Sequence, residues 1–499
     1  MELQFEKTTC TCLRRILGEV RSLEQAQEIR LSDGMPDIGK VLCGWGQVIQ
    51  RSKEWSGDSV SLSAGMMTWV LYAPEDGTAP RWVEGWIPFQ VSWDLPETAG
   101  EGRASVQCRT RFVDARSVSA RKIMVRAGIS ALAEAYVPME GEIALPGEVP
   151  ENLELKKVRY PLRLPREAGE KTFSMEEELT LPGSLPTMEK PVYYTLEPEV
   201  QEQRVLGDKV VFRGSARLHL LYEAEEGGLR SWDFSLPFSQ FGELDQTRSE
   251  DAQVALHMAV TALELEQQDS STLHLKCGLT GQYLVDDQEL LELVEDAYCL
   301  DREIGVEQDS LGLPGILESR KETVSVEQAI PGEGTQALDV TFYPDFPRQR
   351  MLENGLGQEL QGVFQVLYEA PDGSLQAAVS RWEGQQKLAA DPGCQVSSET
   401  LPGTEPQILM GGGDMKIRTE LPVQTTVTAG AGIPMVTGLS LGEPREPEEN
   451  RPSLILRRAG TGDLWDIAKH SGSTVGAIRS ANHLTEESVP GQMLLIPIL

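Results

Sequence analysis

Trp69-Val70-Leu71-Tyr72-Ala73-Pro74-Glu75-Asp76-Gly77 is an apolar run that ends in a tyrosine and breaks into an acidic glycine turn. It returns as Leu220-Leu221-Tyr222-Glu223-Ala224-Glu225-Glu226-Gly227, then as Val366-Leu367-Tyr368-Glu369-Ala370-Pro371-Asp372-Gly373. The tyrosines lie 150 and 146 residues apart, and each has a glycine five residues on. Self-similarity at a long fixed period predicts one unit used three times. Val70 and Tyr72, Leu218, Leu220 and Tyr222, and Phe364, Val366 and Tyr368 alternate along the chain, which puts them on one buried strand face. Glycine reaches positive φ freely, so each acidic glycine cluster predicts a hairpin turn. Trp82 and Trp232 follow their tyrosines by ten residues, and Pro88-Phe89 and Pro237-Phe238 close the return strands. Aromatics at this spacing read as core packing rather than a binding surface.

The chain has 499 residues, enough for three or four domains of roughly 100–200 residues. A hydrophobic fraction of 40% permits packed cores, and the net charge of −32 disfavours nucleic acid and anionic lipid as partners. The start, Met1-Glu2-Leu3-Gln4-Phe5-Glu6-Lys7, lacks a basic region before an apolar core, so no secretory signal is expected. No apolar run reaches 18 residues, so the chain is not expected to span a membrane. The seven cysteines, Cys10, Cys12, Cys43, Cys108, Cys277, Cys299 and Cys394, are odd in number and scattered, which predicts reduced thiols in a cytoplasm.

Residues 10–30 fit either a short amphipathic helix, with Leu13, Ile16, Leu17, Val20 and Leu23 on one face, or an extended strand. Asp33-Gly34-Met35-Pro36-Asp37-Ile38 then makes a turn before a strand. These words, the Leu71-to-Gly77 turn and Gly85-Trp86-Ile87-Pro88-Phe89-Gln90 together resemble the SPOCS domain of spore-forming Firmicutes. That resemblance implies a spore coat and cortex assembly protein.

Ala133-Glu134-Ala135-Tyr136 and Val294-Glu295-Asp296-Ala297-Tyr298 read as matching ends of the first two repeats. Leu145-Pro146-Gly147, Leu164-Pro165 and Leu181-Pro182-Gly183 mark strands and a connector between repeats one and two. Leu313-Pro314-Gly315 and Ile330-Pro331-Gly332 mark another between two and three. The third copy, with Gly411-Gly412-Gly413, is divergent. Short strand runs punctuated by Gly, Pro and Asp predict antiparallel sandwiches, and residues 286–298 read as strand. The expected division is an N-terminal segment 1–27, repeats 28–150, 151–305 and 306–439, a Pro- and Glu-rich linker 440–453, and a tail 454–499.

The tail reads as strand, helix, helix, strand. Leu464, Ile467 and Ala468 share one helix face, Val475, Ile478 and Ala481 another, and Ser473 or Thr474 caps the second helix. The words Leu464-Trp465-x-Ile467-Ala468, Ala481-Asn482, Pro490-Gly491-Gln492 and Ile496-Pro497 resemble the LysM family. That resemblance implies a groove for N-acetylglucosamine polymers formed by Gly462, Asp463 and Leu464 opposite Asn482, Leu484 and Pro490. The family's usual Gly-Asp-Thr-Leu-Trp is one residue shorter here, Gly462-Asp463-Leu464-Trp465, which favours a protein ligand over a sugar. The linker is expected to let the tail move independently, with Leu464, Trp465 and Ile467 supporting the docking surface.

Five histidines, none at metal-ligand spacing, and the absence of nucleophile-elbow, phosphate-loop or dinucleotide motifs predict no metal, no cofactor and no enzyme. The expected fold class is mainly β: three antiparallel β-sandwich-like repeats followed by a small α+β (βααβ) LysM domain. The combination resembles the SpoIVA-interacting protein family. It implies a non-enzymatic scaffold in the mother-cell cytoplasm at the forespore surface, with a coat morphogenetic ATPase or another coat protein as partner. The alternative is a protein that binds peptidoglycan or a chitin-like glycan.

Overall fold

The computed structural model describes residues 2–96, 100–352, 355–391, 393–411, 413–445, 452–459, 463–484 and 491–499. The first repeat runs through β1 (Phe5–Arg30), β2 (Ile38–Trp55), β3 (Ser59–Pro74), β4 (Arg81–Asp94), β5 (Arg103–Ser119) and β6 (Lys122–Pro146). The second follows the same order with β7 (Leu153–Thr180), β8 (Met188–Leu206), β9 (Lys209–Ala224), β10 (Leu229–Glu243), β11 (Gln253–Gln267) and β12 (Thr272–Cys299). In the third, four of the six strand positions, the first, second, fifth and sixth, are divided. It comprises β13 (Arg302–Leu311), β14 (Ile316–Pro331), β15 (Gln336–Pro344), β16 (Arg348–Leu352) and β17 (Gly355–Glu369). These are followed by β18 (Leu375–Lys387), β19 (Gln395–Thr400), β20 (Gln407–Gly411), β21 (Asp414–Thr428) and β22 (Ile433–Pro444).

Each repeat faces two antiparallel sheets. In the first they are β1-β6-β5 and β2-β3-β4, and the core between them is built from Val60, Leu62, Met66, Val70, Tyr72 and Trp93 facing Val106, Ile123, Val125 and Ile129. The second repeats this with β11-β12-β7 and β10-β9-β8, the third with β14-β21-β19 and β15-β17-β18. Residues 10–30 are strand throughout, because β1 pairs with β6 along its whole length. The sequence alternates there as well as a helix would, and the partner strand decides.

The three signature turns are hairpins, β3–β4, β9–β10 and β17–β18, with Gly77, Gly227 and Gly373 at φ of 71°, 91° and 80°. Tyr72 and Tyr222 are fully buried, and each hydroxyl donates to a proline carbonyl 36 residues earlier, Pro36 and Pro186. Leu181-Pro182-Gly183, read from sequence as part of a connector, therefore opens the second repeat's counterpart of the Leu31–Ile38 turn. Tyr368 in the third repeat donates instead to Gln376, where no matching proline exists. The two tryptophans at equal spacing are not equivalent. Trp82 lies opposite Leu71 but Trp232 opposite Leu220, so they occupy opposite sheet faces. The first hairpin's turn is one residue longer: Tyr72 pairs with Arg81, nine residues on, whereas Tyr222 pairs with Arg230, eight residues on.

Beyond each sandwich the first and last strand positions continue as a two-stranded ribbon: residues 5–15 with 136–146, 153–165 with 286–299, and β13 with β22. Cys10, Cys12 and Ile143 of the first pack on Leu164, Leu291 and Leu293 of the second and on Leu311, Leu313 and Met435 of the third. Tyr136 and Tyr298 are not counterparts. Tyr136 pairs with Arg15 and Arg103 where the first ribbon begins, whereas Tyr298 pairs with Glu154 near the tip of the second.

The mainly-β expectation holds; the C-terminal LysM domain is not seen. Among the described residues, the tail contributes β23 (Leu454–Arg458), α1 (Leu464–Ser471), α2 (Val475–Asn482) and β24 (Met493–Pro497), two short strands and two eight-residue helices. Helices this short are marginal alone, and two strands do not make a stable sheet. Their core is completed from the second repeat by Tyr298 and Leu300, packed with Leu464, Trp465, Ile467 and Ile478. Residues 440–444, assigned to the linker from sequence, extend β22, and residues 446–451 lie outside the described residues.

Tyr222→Ala is expected to destabilise the protein by about 3–5 kcal/mol, because it removes a fully buried ring. Tyr222→Phe, which removes only the hydrogen bond to Pro186, is expected to cost about 1 kcal/mol. Urea titration separates the two; a loss below about 0.5 kcal/mol for the alanine variant is the surface range and contradicts the packing described.

Candidate functional site

The three repeats meet through positions that are equivalent by register but carry different side chains. Cys43, Tyr193 and Asp339 stand opposite Leu71, Leu221 and Leu367, the residues just before the three signature tyrosines. Each directly follows a β-bulge, at Val41/Cys43, Pro191/Tyr193 and Ala337/Asp339. A bulge re-aims the next side chain, and here it turns all three toward the centre.

Asp339 is the hub. Its carboxylate, fully buried, accepts from Trp45 Nε1 at 2.9 Å, Tyr193 Oη at 2.6 Å and Thr341 Oγ1 at 3.1 Å, and binds His219 Nε2 at 2.8 Å. The Trp45 and Tyr193 rings stack with centroids 4.1 Å apart. His219 Nδ1 meets Asp233 at 2.9 Å. Burial opposes the imidazolium, but hydrogen bonds to Asp233 and Asp339 outweigh it and push the His219 pKa up to about 10. Burial would raise the Asp339 pKa; His219, Tyr193 and Trp45 hold it below the usual carboxylate range. Burial first and the Asp339 charge second push the Cys43 thiol well up, which makes it a poor nucleophile.

A second set lies on the next sheets. Gln107, His257 and Glu399 stand opposite Leu132, Gln282 and Gln424. Glu399 accepts from Gln107 at 2.9 Å and pairs with His257 at 3.0 Å. Burial works against both charges, but each favours the other: His257 is raised and Glu399 lowered. Gln282 exchanges two hydrogen bonds with the Val106 backbone and accepts one from Lys53. Arg109 binds the side chain and carbonyl of Thr400 and lies over Phe346. These groups line a cavity of about 1650 Å³ between the repeats. Much of their hydrogen-bonding capacity is spent on one another, and these contacts link the three repeats.

The residues expected from sequence to form a C-terminal groove have other roles. Asp463 caps α1 by accepting from the Asp466 backbone and pairs with Lys156 of β7 at 3.3 Å. Leu464 is buried in the small core. Asn482 exchanges two hydrogen bonds with the Leu495 backbone, and Leu484 packs against the same core. Gly462 and Pro490 lie outside the described residues. Trp465 donates to Asp296 at 2.8 Å and meets Tyr298 edge-on, Lys469 binds both Asp296 oxygens, and Tyr298 donates to the Ser473 carbonyl. The tail is thus seated on the second ribbon, contrary to the expectation that it moves freely.

Sequence reading passed over Asp339 and counted His219 only as one of five histidines without metal-ligand spacing. A signal was present: counting back from each signature tyrosine by the same number of residues reaches Cys43, Tyr193 and Asp339. Equal spacing does not reveal that unlike residues meet, so the pairing itself was hidden.

A mainly β chain of three repeats locked at a shared centre is the class that the structure defines. Residues 187–267, from the turn before β8 to the end of β11, match the family described as SipL, SPOCS domain. The chain therefore carries a SPOCS domain, which points to a sporulation-related protein. No curated protein and no solved structure matches the chain. Among the described residues no helix is long and apolar enough to cross a membrane.

The His219 pairing makes stability depend on pH with a definite sign. A histidine raised from 6.5 to about 10 on folding contributes fully below the unfolded pKa and loses that contribution as pH rises through about 10. The urea midpoint is therefore expected to fall between about pH 7 and 10, less steeply in His219→Gln. Asp339→Ala, which strips a buried ion pair of one partner, is expected to cost about 3–5 kcal/mol at neutral pH. An unchanged pH slope in His219→Gln contradicts the pairing.

Proposed function

We propose that this protein is a non-enzymatic assembly protein of the spore envelope, in which the three β repeats act as one rigid scaffold. The SPOCS match at residues 187–267 carries the reading. The register supports extending it across the chain, because the same turn, hairpin and bulge recur in the first repeat and, with changes, in the third. A scaffold needs fixed geometry more than mobile loops, and buried polar contacts between unlike residues supply it. The ionisable groups at the centre engage one another, which supports a structural role over catalysis. The proposed location is the mother-cell cytoplasm at the forespore surface, with a coat morphogenetic ATPase or another coat protein as partner. Glycan binding rested on the C-terminal resemblance and has no separate support.

A fluorescent fusion followed through sporulation tests this reading. The expected pattern is a shell around the forespore that depends on the basal coat layer. Uniform cytoplasmic signal throughout sporulation defeats it.

A further inference from the structure

In each repeat one sheet ends on the return strand of the signature hairpin: β4, β10 or β18. Two of these edges carry a proline at the same register. Pro88 stands opposite Gly65, and Pro237 opposite Ser215. Proline has no N–H to offer an incoming strand, so it guards an edge against pairing. The third repeat has Glu383 at that register, opposite Gln361. Among the described residues, β18 hydrogen-bonds as a strand to β17 alone. Its outer face exposes Val379, 62% accessible, with Arg381 and Glu383 beside it. Trp382 between them is turned into the sandwich core against Phe342.

The stretch Val379-Ser380-Arg381-Trp382-Glu383-Gly384-Gln385 is complementary to itself. When two copies run antiparallel and are centred on Trp382, residues equally far from the centre meet. Arg381 of each copy then faces Glu383 of the other, twice, and Val379 faces Gln385. Opposite charges directly across an antiparallel pair are favourable and like charges are not. A two-fold axis uses the same patch on both subunits, which this register satisfies.

We propose that the β18 edge is a homodimerisation surface, pairing antiparallel with β18 of a second copy and joining the two third-repeat sheets. The contact is weak by design of charge. Each copy carries a net −32, and the repulsion between the bodies opposes what the two Arg–Glu pairs and the added backbone hydrogen bonds contribute. Moderate salt screens the long-range repulsion more than the close pairs.

Sedimentation velocity of the full chain, over roughly 1–100 µM in moderate salt, tests this. Wild type is expected to shift from monomer to dimer with concentration. Arg381→Glu and Glu383→Arg, which each place like charges opposite twice, are expected to weaken dimerisation about ten-fold or more. The double exchange Arg381→Glu with Glu383→Arg restores both pairs and is expected to return affinity to within about three-fold of wild type. Glu383→Pro, which gives the third repeat the edge proline of the other two, is expected to abolish the dimer while the circular dichroism stays unchanged. A monomer across the whole range, a dimer indifferent to Glu383→Pro, or no rescue by the double exchange each overturns the proposal.

Discussion

The buried carboxylate of Asp339 is the constraint on which the rest of the arrangement depends. It belongs to the third repeat, yet Trp45 comes from the first and Tyr193 and His219 from the second. A charge taken out of water is costly unless its lone pairs are satisfied and an opposite charge is close. Both conditions are met only when all three repeats are in place. The energetic return on any one contact is therefore withheld until the third arrives, which couples three sandwiches into one unit. The equivalent positions also carry unlike residues. Three aspartates at one centre repel and three cysteines leave tryptophan and histidine unpaired, so Cys43, Tyr193 and Asp339 together define one order of repeats. Gln107, His257 and Glu399 impose the same order on the other sheets.

The hairpins were legible in the sequence because everything that makes them is local. Alternating apolar residues set the buried face, and Gly77, Gly227 and Gly373 supply the positive φ. The turns that precede them were legible only in part. Asp33-Gly34-Met35-Pro36 looked like a turn, whereas Leu181-Pro182-Gly183 looked like a connector, though Tyr72 and Tyr222 close both turns by the same bond. That equivalence lives in a hydrogen bond 36 residues long, not in composition. The longest strands were read least well. The apolar spacing of β1 fits a helix as well as a strand and the prolines of β7 suggest a connector, and it is pairing with β6 and β12 that makes them extended.

The tail shows the same limit from the other side. Its short helices were legible from caps and spacing, and Asp463 and Thr474 do cap them. What eight residues of helix pack against is a separate question that spacing does not address. Trp465 was expected to support a docking surface with Leu464 and Ile467; an indole has an apolar body and one polar tip. The structure uses both: the body against Tyr298, the N–H on Asp296. Neither side chain occurs at the matching places in the first and third ribbons, where Pro146 and Glu148, and Gly438 and Ser440, stand instead. The second repeat alone is therefore equipped to seat the tail.

Divergence among the repeats follows a physical gradient. At the centre, unlike residues have been substituted into like positions, and each change is answered by a partner in another repeat. At the periphery of the third repeat, changes are answered locally or, on the return strand, by no ion pair among the described residues. Its fifth strand is interrupted by Leu401–Pro406 at the place where β5 and β11 carry only a bulge. Its return strand has lost the edge proline, and Arg381 and Glu383 make no ion pair within the chain among the described residues. A repeat freed from guarding its edge, on a body whose centre holds it rigid, presents a strand in a fixed orientation. Backbone groups held that way lose little further entropy when another strand pairs with them. Rigidity at Asp339 and openness at β18 are in that sense one design: the first limits what the second costs to use.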